Sequence, residues 1–138
     1  MSNIKDTARE ICDRLIDTGF TVHRYNAYST MSIYIKVDCG LCKSIRVSDH
    51  DGKGYLSYTY NVRKDILEYY EEVDNSVHRY YFPMEDWSSM VGLIVNHRKY
   101  LIDRYGSNWY NMELNRLLGS QKTDKGFWSS AYLVKRSK

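Results

Sequence analysis

Two short segments of the sequence contain residue types that could do chemistry, and the first is Cys39-Gly-Leu-Cys42. Its C-x-x-C spacing is that of a zinc knuckle or of a redox-active dithiol. A structural zinc needs four ligands, and the other candidates, Cys12, His23 and His50, form no second close pair. A redox pair sits at a helix N-terminus, whose dipole lowers the thiol pKa, whereas this motif ends a predicted hairpin. We therefore favour two ordinary reduced thiols over a zinc or redox site, and we predict no metal ion and no cofactor.

The second segment is Ser48-Asp49-His50-Asp51, which gathers two carboxylates and an imidazole at the end of a predicted strand. A carboxylate could orient the imidazole as a general base, or both could share a divalent ion, as in many nucleases. Adjacent residues of a strand point to opposite faces, so the four side chains cannot all converge on one ion. Ser and Asp also bond to their own backbone in turns, and Gly52 and Gly54 allow the chain to reverse. We favour a turn, with a binding loop as the second interpretation and a catalytic site as the third.

The rest of the sequence gives little indication of catalysis. It has no Gly-rich phosphate loop, no H-E-x-x-H motif and no G-x-S-x-G motif. His23, His78 and His97 have no acidic neighbour in sequence that would mark a catalytic dyad. Because Arg98 and Lys99 follow His97, we predict that His97 lies on the solvated side of its helix. The sequence favours binding over catalysis.

The composition is that of one small domain with many tyrosines. The chain has 138 residues, of which 43% are hydrophobic and 27% charged, and 14 are Tyr. A chain of this length can bury a core without disulfides or metals. No run approaches the ~18 apolar residues of a membrane span, and the N-terminus has no apolar core of the signal-peptide kind. We predict a cytoplasmic protein that makes no membrane contact.

Hydrophobic periodicity predicts a single α+β domain over residues 1–119. Apolar residues from Ile4 to Ile16 repeat at helical spacing, and Gly19 suits the end of that helix. Alternating segments then predict an antiparallel sheet of three to four strands, drawn from Phe20–Tyr25, Ile33–Cys39, Cys42–Val47, Tyr55–Val62 and Val77–Phe82. Gly40-Leu41 is expected to form a two-residue type II′ hairpin.

Helical spacing returns in the C-terminal half of the chain. Residues 64–75 fit a short helix, and a long helix is predicted from Met84 to Tyr105, ended by Gly106. A shorter helix from Trp109 to Leu118 is closed by Gly119. We expect these two C-terminal helices to pack on one face of the sheet.

Residues 120–138 form a basic C-terminal segment, predicted either as an edge strand over Phe127–Val134 or as a tail. Against Asp124 alone, the segment carries the basic residues Lys122, Lys125, Lys135, Arg136 and Lys138. Such a segment can add nonspecific affinity for phosphate or simply remain solvated, and both interpretations stay open. We include Lys135 and Arg136 among the candidate partner-binding residues.

The sheet face turned away from the helices must meet solvent or a partner. Alternation places Tyr34, Lys36, Ser44 and Arg46 on this face, and we place Tyr58 beside them. Tyr and Arg are enriched at binding hot spots, and the same side chains can stack on the bases of nucleic acids. The alternative is cross-strand packing of tyrosines that only fills a two-sided sheet.

Two segments resemble a pattern of small proteins from phages and mobile elements of Gram-positive bacteria. They are Ser29-Thr-Met-Ser-Ile-Tyr34 and Ile45-Arg-Val-Ser-Asp-His50. Some inhibitors of type II CRISPR nucleases, the anti-CRISPR proteins, carry a similar stretch after an amphipathic helix. The resemblance covers residues 10–62 and implies a non-enzymatic inhibitor whose partner is a CRISPR effector nuclease or its guide RNA. With it, the predicted partner-binding residues are Ser32, Tyr34, Arg46, Ser48, Asp49, His50, Tyr58, Lys135 and Arg136.

Three hypotheses for the function follow. The first is the mobile-element inhibitor of a bacterial defence system, acting in the host cytoplasm. The second is a nucleic-acid-binding module that contacts RNA. The third is a small metal-dependent nuclease that uses Asp49, His50 and Asp38. The sequence leaves open whether the protein is a monomer or a homodimer.

Overall fold

The computed structural model describes residues 4–27, 32–48, 55–61, 77–121 and 130–137. The predicted short helix over 64–75 lies outside these residues, as do Asp49 and His50. The described part of the chain is α+β, as predicted, with a helix at its start, an antiparallel sheet and two helices near its end.

Helix α1 runs from Ile4 to Asp17 and buries one side, as its spacing predicts. Its C-terminus has the pattern of a Schellman motif, because Gly19 N–H donates to the Ile16 carbonyl at 2.9 Å and Phe20 N–H to the Leu15 carbonyl at 3.0 Å. Gly19 adopts φ +97°, a conformation that glycine takes without a steric penalty. Leu15 and Phe20 occupy the two positions whose hydrophobic contact usually accompanies this motif, and both residues are buried. The helix therefore ends where the sequence predicts.

The sheet contains six strands in the order β5-β4-β3-β2-β1-β6, and every neighbouring pair is antiparallel. Their bounds are β1 Val22–Asn26, β2 Ser32–Val37, β3 Ser44–Ser48, β4 Tyr55–Asn61, β5 Val77–Pro83 and β6 Tyr132–Leu133. The predicted number of three to four strands is therefore too low. All five alternating segments of the sequence form strands, β1 to β5, and β6 adds a sixth. This last strand comes from the far end of the chain and pairs with the outer edge of β1, a long-range contact that local periodicity does not encode.

The C-terminal helices are α2, Trp87–Tyr105, and α3, Ser107–Gln121. A 3-10 turn over Met84–Asp86 leads into α2, and Gly106 at φ +97° separates it from α3. The prediction that Gly119 closes the last helix is wrong, since α3 continues through it to Gln121. Helices α1 and α2 pack against the sheet, while α3 packs against α2 and the β2–β3 connection. No helix among the described residues is both long and apolar enough to cross a membrane.

The β2–β3 connection differs from the predicted two-residue type II′ hairpin. A 3-10 turn over Asp38–Gly40 follows β2, and the loop closes with a hydrogen bond from Val37 N–H to the Lys43 carbonyl at 2.9 Å. Three of its residues other than glycine have positive φ, namely Asp38 at 49°, Cys39 at 54° and Lys43 at 62°. The left-handed region costs such a residue about 1–2 kcal/mol, so contacts from the rest of the fold must hold this loop in place.

We expect Lys43→Gly to raise the free energy of unfolding by about 0.5 kcal/mol. Glycine removes the steric penalty of the left-handed conformation at this position. This gain is larger than the cost of the extra backbone entropy that glycine has in the unfolded chain. The measurement is urea-induced unfolding at neutral pH. The same change at Lys99, an exposed helical position in α2, is the matched control and should instead cost about 1 kcal/mol. An equal loss of unfolding free energy in both variants would contradict the left-handed backbone conformation of Lys43.

Tyr132–Leu133 form an edge strand within the predicted range Phe127–Val134, and the described residues after it are anchored on α1. Val134 N–H donates to the Val22 carbonyl at 2.8 Å beyond the paired β6 residues. Arg136 then binds Asp17, with Nε to Oδ1 at 3.0 Å, and lies 3.4 Å from Asp13. Ser137 N–H donates to the same Asp13 carboxylate at 3.0 Å. The segment after β6 is therefore held by carboxylates of this chain.

Candidate functional site

Strand register separates the two faces of the sheet. Ile33, Ile35 and Val37 of β2 and Ile45 and Val47 of β3 are all buried beneath the helices. The residues that alternate with them point the other way, so Tyr34, Lys36, Ser44 and Arg46 lie on the open face, as predicted. We call this surface the open face.

One row of the open face crosses five strands. Tyr25, Tyr34, Arg46, Ser57 and Tyr81 are successive Cα partners from β1 to β5. The row places two aromatic side chains on one side of an arginine and one on the other. Ser57 is the smallest residue of the row, and its position between Arg46 and Tyr81 leaves a hollow above the strand.

This hollow is a cleft of about 290 Å³. Its lining residues are Tyr34, Ser44, Ile45, Arg46, Tyr55, Ser57 and Tyr81. The volume lies at the lower end of the range known for small-molecule sites, and the cleft opens on a surface of phenol rings. Tyr81 is 59% exposed at its rim. The cleft can therefore receive one flat or side-chain-sized group of a larger partner.

The aromatic rings of the open face form two pairs that flank Arg46. The rings of Tyr25 and Tyr34 stack with centroids 6.3 Å apart, and those of Tyr55 and Tyr81 lie 6.0 Å apart at a tilt of 59°. Such contacts stabilise the positions of the rings. Tyr25, Tyr55 and Tyr81 were not among the predicted site residues. Strand parity relative to Tyr34 and Arg46 was the signal that could have identified them.

Arg46 is held in position by its neighbours. Its guanidinium carbon lies 6.0 Å from the Tyr34 ring centroid, and its Nε donates to the Ser32 hydroxyl at 3.2 Å. The Ser32 and Ser48 hydroxyls are in turn 3.3 Å apart. Both serines were predicted to bind a partner directly, but they are only 1% and 0% exposed. They lie beneath the surface, where their role is to orient the arginine.

Tyr58 is on the opposite face from the predicted one. It is the Cα partner of Ile45 and is 0% exposed, so it is part of the core. The reason is strand parity, because Leu56 and Tyr58 share one side of β4 and burial of Leu56 takes Tyr58 with it. The predicted placement of Tyr58 on the open face is therefore wrong, and Tyr55 and Ser57 occupy the open side of β4.

A buried hydrogen-bond network surrounds the Tyr58 hydroxyl. It donates to the Cys42 carbonyl at 2.5 Å and lies 3.1 Å from His97 Nδ1. A phenol has one proton to donate, which assigns a proton to Nδ1 of His97 so that the imidazole donates to the phenol oxygen. His97 is therefore buried and not solvated as predicted. Burial, with the charge of Lys43 as a smaller cause, lowers the pKa of His97 to about 4.

A second part of the network joins α3 to the strained loop. Asp38 accepts hydrogen bonds from Thr21 N–H at 2.8 Å and from the Tyr110 hydroxyl, which is also 3.3 Å from the Cys42 sulfur. Burial raises the pKa of Asp38 above its usual value, and these hydrogen bonds oppose that shift. Burial also raises the pKa of Tyr110. Since Asp38 is enclosed by Thr21 and Tyr110, it is unavailable as the carboxylate of a metal-dependent nuclease.

The cysteines have the environment of structural thiols. All three are free and buried, and burial raises the pKa of Cys12 and of Cys42 to about 12. A reactive thiol requires the opposite shift. Among the described residues, no group of three or more His, Cys, Asp and Glu side chains could hold a metal ion. These findings favour the interpretation of Cys39 and Cys42 as ordinary thiols at the end of the hairpin.

The six strands carry only basic formal charges. They contain Arg24, Lys36, Arg46 and Arg79 and, over all their described positions, neither Asp nor Glu. Lys36 Nζ donates to the Gln121 side chain at 2.9 Å, and no carboxylate of the described residues pairs with Arg46. Among the described residues that line the cleft, Arg46 is the one charged group, and the rings of Tyr34, Tyr55 and Tyr81 lie around it.

The remaining predicted partner residues do not join this cleft. Arg136 lies against Asp13 and Asp17 of α1, and the hydrogen bonds to Asp17 raise its pKa. Its guanidinium therefore binds carboxylates of this chain, and its contact with a partner stays a prediction. Lys135 is exposed in the same segment. Of the predicted site residues, the structure brings together Tyr34 and Arg46, with Ser32 and Ser48 in support.

Comparison with known proteins adds no relative. No protein-family model matches the chain, and neither a search of curated proteins nor a search of solved structures gives a match.

Proposed function

We propose that this protein is a non-enzymatic inhibitor of a bacterial defence system, carried by a phage or mobile element and acting in the host cytoplasm. Its partner is a type II CRISPR effector complex, the target that the resemblance over residues 10–62 implies. The contact surface is the open face of the sheet. The observation that supports this proposal is the cleft in which Arg46 is flanked by tyrosine rings and faces no carboxylate of the described residues.

The chemistry of the open face supports binding. Its described side chains include phenols, hydroxyls, the buried imidazole of His23 and two basic groups, Lys36 and Arg46. Tyr and Arg contribute most strongly to binding energy when they are pre-positioned at the centre of an interface. Here the stacked rings and the Ser32 hydrogen bond provide that positioning.

The variant Arg46→Ala is expected to lose inhibition of the effector nuclease. The measurement is phage plating on a bacterial host with an active type II CRISPR system, with the protein expressed from a plasmid. Truncating a central arginine of an interface costs about 2 kcal/mol or more, which is about a 30-fold loss of affinity. The wild-type protein should restore plating, and Arg46→Ala should not.

Arg9→Ala is the matched control. Arg9 is an exposed arginine on α1, remote from the open face, and it forms an ordinary surface pair with Asp6 at 3.4 Å. This variant removes the same charge and should retain full inhibition. The proposal fails if the wild-type protein protects no phage against the type II systems tested, or if Arg46→Ala inhibits as well as Arg9→Ala while both proteins are folded.

A further inference from the structure

We infer that the cleft of the open face binds a segment of single-stranded RNA, with a base stacked on Tyr81 and a phosphate paired to Arg46. The inference rests on the proposed function, since it names the component of the effector complex that the same surface contacts. A guide RNA offers unpaired bases and phosphates together, and the cleft presents one group suited to each.

The geometry of the row carries the first step. Arg46 and Tyr81 lie on strands separated by β4, so their backbones are about 10 Å apart, and only the small Ser57 lies between them. A flat group can enter this gap beside the exposed Tyr81 ring. Tyr55 lies 6.0 Å from Tyr81 and supports that ring from the neighbouring strand. An aromatic platform on an open antiparallel sheet is a general means of stacking unpaired bases.

Charge carries the second step. On the face that bears the cleft, β2 and β3 hold Lys36 and Arg46 and no acidic residue, and the Arg46 guanidinium meets no described carboxylate. An acidic protein surface would complement the positive charge of Arg46 but would not use the aromatic rings beside it. The rings that flank the guanidinium give stacking surface of the kind that bases use, and each base stack contributes substantially to affinity. The combination favours a nucleic acid over an acidic protein.

Hydroxyl groups carry the third step. Ser44 and Ser57 line the cleft beside Arg46 and, within the described part of the chain, make no side-chain hydrogen bond. A ribose 2′-hydroxyl both donates and accepts, and so matches a serine hydroxyl in either direction. Contacts of this kind distinguish RNA from DNA. We therefore assign the occupant as RNA.

The test is binding of the full chain to a fluorescein-labelled oligouridylate of about 12 nucleotides, followed by anisotropy. We expect Tyr81→Leu to weaken binding by about 5- to 100-fold, the contribution of one base–aromatic stack, and Tyr81→Phe to keep the affinity. Arg46→Ala should also reduce the slope of log affinity against log salt by about 0.7, as expected for the loss of one phosphate contact. An oligodeoxyuridylate of the same length should bind to the wild type more weakly than the RNA does. In Ser57→Ala this difference in affinity between RNA and DNA should disappear.

Two control variants match these changes. Tyr132→Leu alters another exposed tyrosine, on the edge strand β6, and Arg9→Ala removes a charge from α1. Both should bind the oligouridylate like the wild type. The inference is overturned if the wild type does not bind at about 50 mM salt, or if Tyr81→Leu binds as tightly as Tyr132→Leu. It is also overturned if DNA binds as tightly as RNA.

Phage plating with the same variants separates this inference from the proposed function. If Tyr81→Leu and Arg46→Ala lose inhibition while the wild type binds no RNA, the open face contacts a protein, and only the RNA inference is wrong. If the wild type binds RNA in the expected manner but does not inhibit, the RNA site stands and the proposed inhibitor function fails.

Discussion

Replacing Tyr58 by alanine is expected to lower the free energy of unfolding by about 3–5 kcal/mol, because it opens a large cavity in the core. The side chain is fully buried and packs between the sheet and α2. Tyr58→Phe keeps the ring and should cost about 1–3 kcal/mol, since the Cys42 carbonyl and His97 Nδ1 lose their shared partner. Urea-induced unfolding measures both changes.

Tyr81→Ala is the control for this prediction. It removes the same side chain from the neighbouring strand, but at an exposed position, so we expect a loss of less than about 1 kcal/mol. The two tyrosines therefore differ in environment: Tyr58 is part of the core, and Tyr81 lies at the exposed rim of the cleft. Equal destabilisation by the two alanine variants would contradict the register of β4 against β3 and β5.

Acidification from pH 7 to pH 4 is expected to destabilise the protein by about 3 kcal/mol through His97. In the unfolded chain the imidazole takes up a proton near its ordinary pKa of 6.5, whereas in the folded protein it does so only at about 4. The unfolded state thus binds more protons between these values, and stability falls as the pH is lowered through this window. Each unit of the shift corresponds to about 1.4 kcal/mol.

Other groups also contribute to the pH dependence of stability, either through His97 or by their own titration. Lys43 lowers its pKa by charge repulsion, and the Tyr58 hydroxyl accepts its Nδ1 proton. The lowered pKa of His23 adds a smaller effect of the same sign. Asp38 acts in the opposite sense, because its raised pKa lets the folded state keep a proton that the unfolded chain has released.

His97→Gln tests this assignment, since glutamine can hydrogen-bond to Tyr58 but does not titrate. Unfolding free energies measured at several pH values should depend less on pH in this variant by about 3 kcal/mol between pH 7 and pH 4. Titration of the histidine ring protons by NMR gives the pKa directly. An unchanged pH dependence in His97→Gln, or a His97 pKa near 6.5 in the wild type, would show that the imidazole is solvated.

The sequence predicts much of the fold because its apolar residues repeat clearly. In β2 and β3, aliphatic residues occupy every second position, so only one phase buries them and Tyr34 and Arg46 must lie outside. In β4, Leu56, Tyr58 and Tyr60 alternate with the polar Ser57 and Thr59, so the same rule places Tyr58 inside with Leu56. The wrong placement of Tyr58 came from treating a tyrosine as a surface residue against this alternation.

The sequence by itself determined the α+β class, the helix ends at Gly19 and Gly106, and the outward position of Tyr34 and Arg46. These features depend on local periodicity and backbone conformation. Only the tertiary structure decided that β6 closes the edge of β1, that His97 is buried against Tyr58, and that Ser57 leaves a cleft between Arg46 and Tyr81. Each of these depends on residues far apart in the chain, whose contact is fixed by packing and strand register, and no local pattern records it.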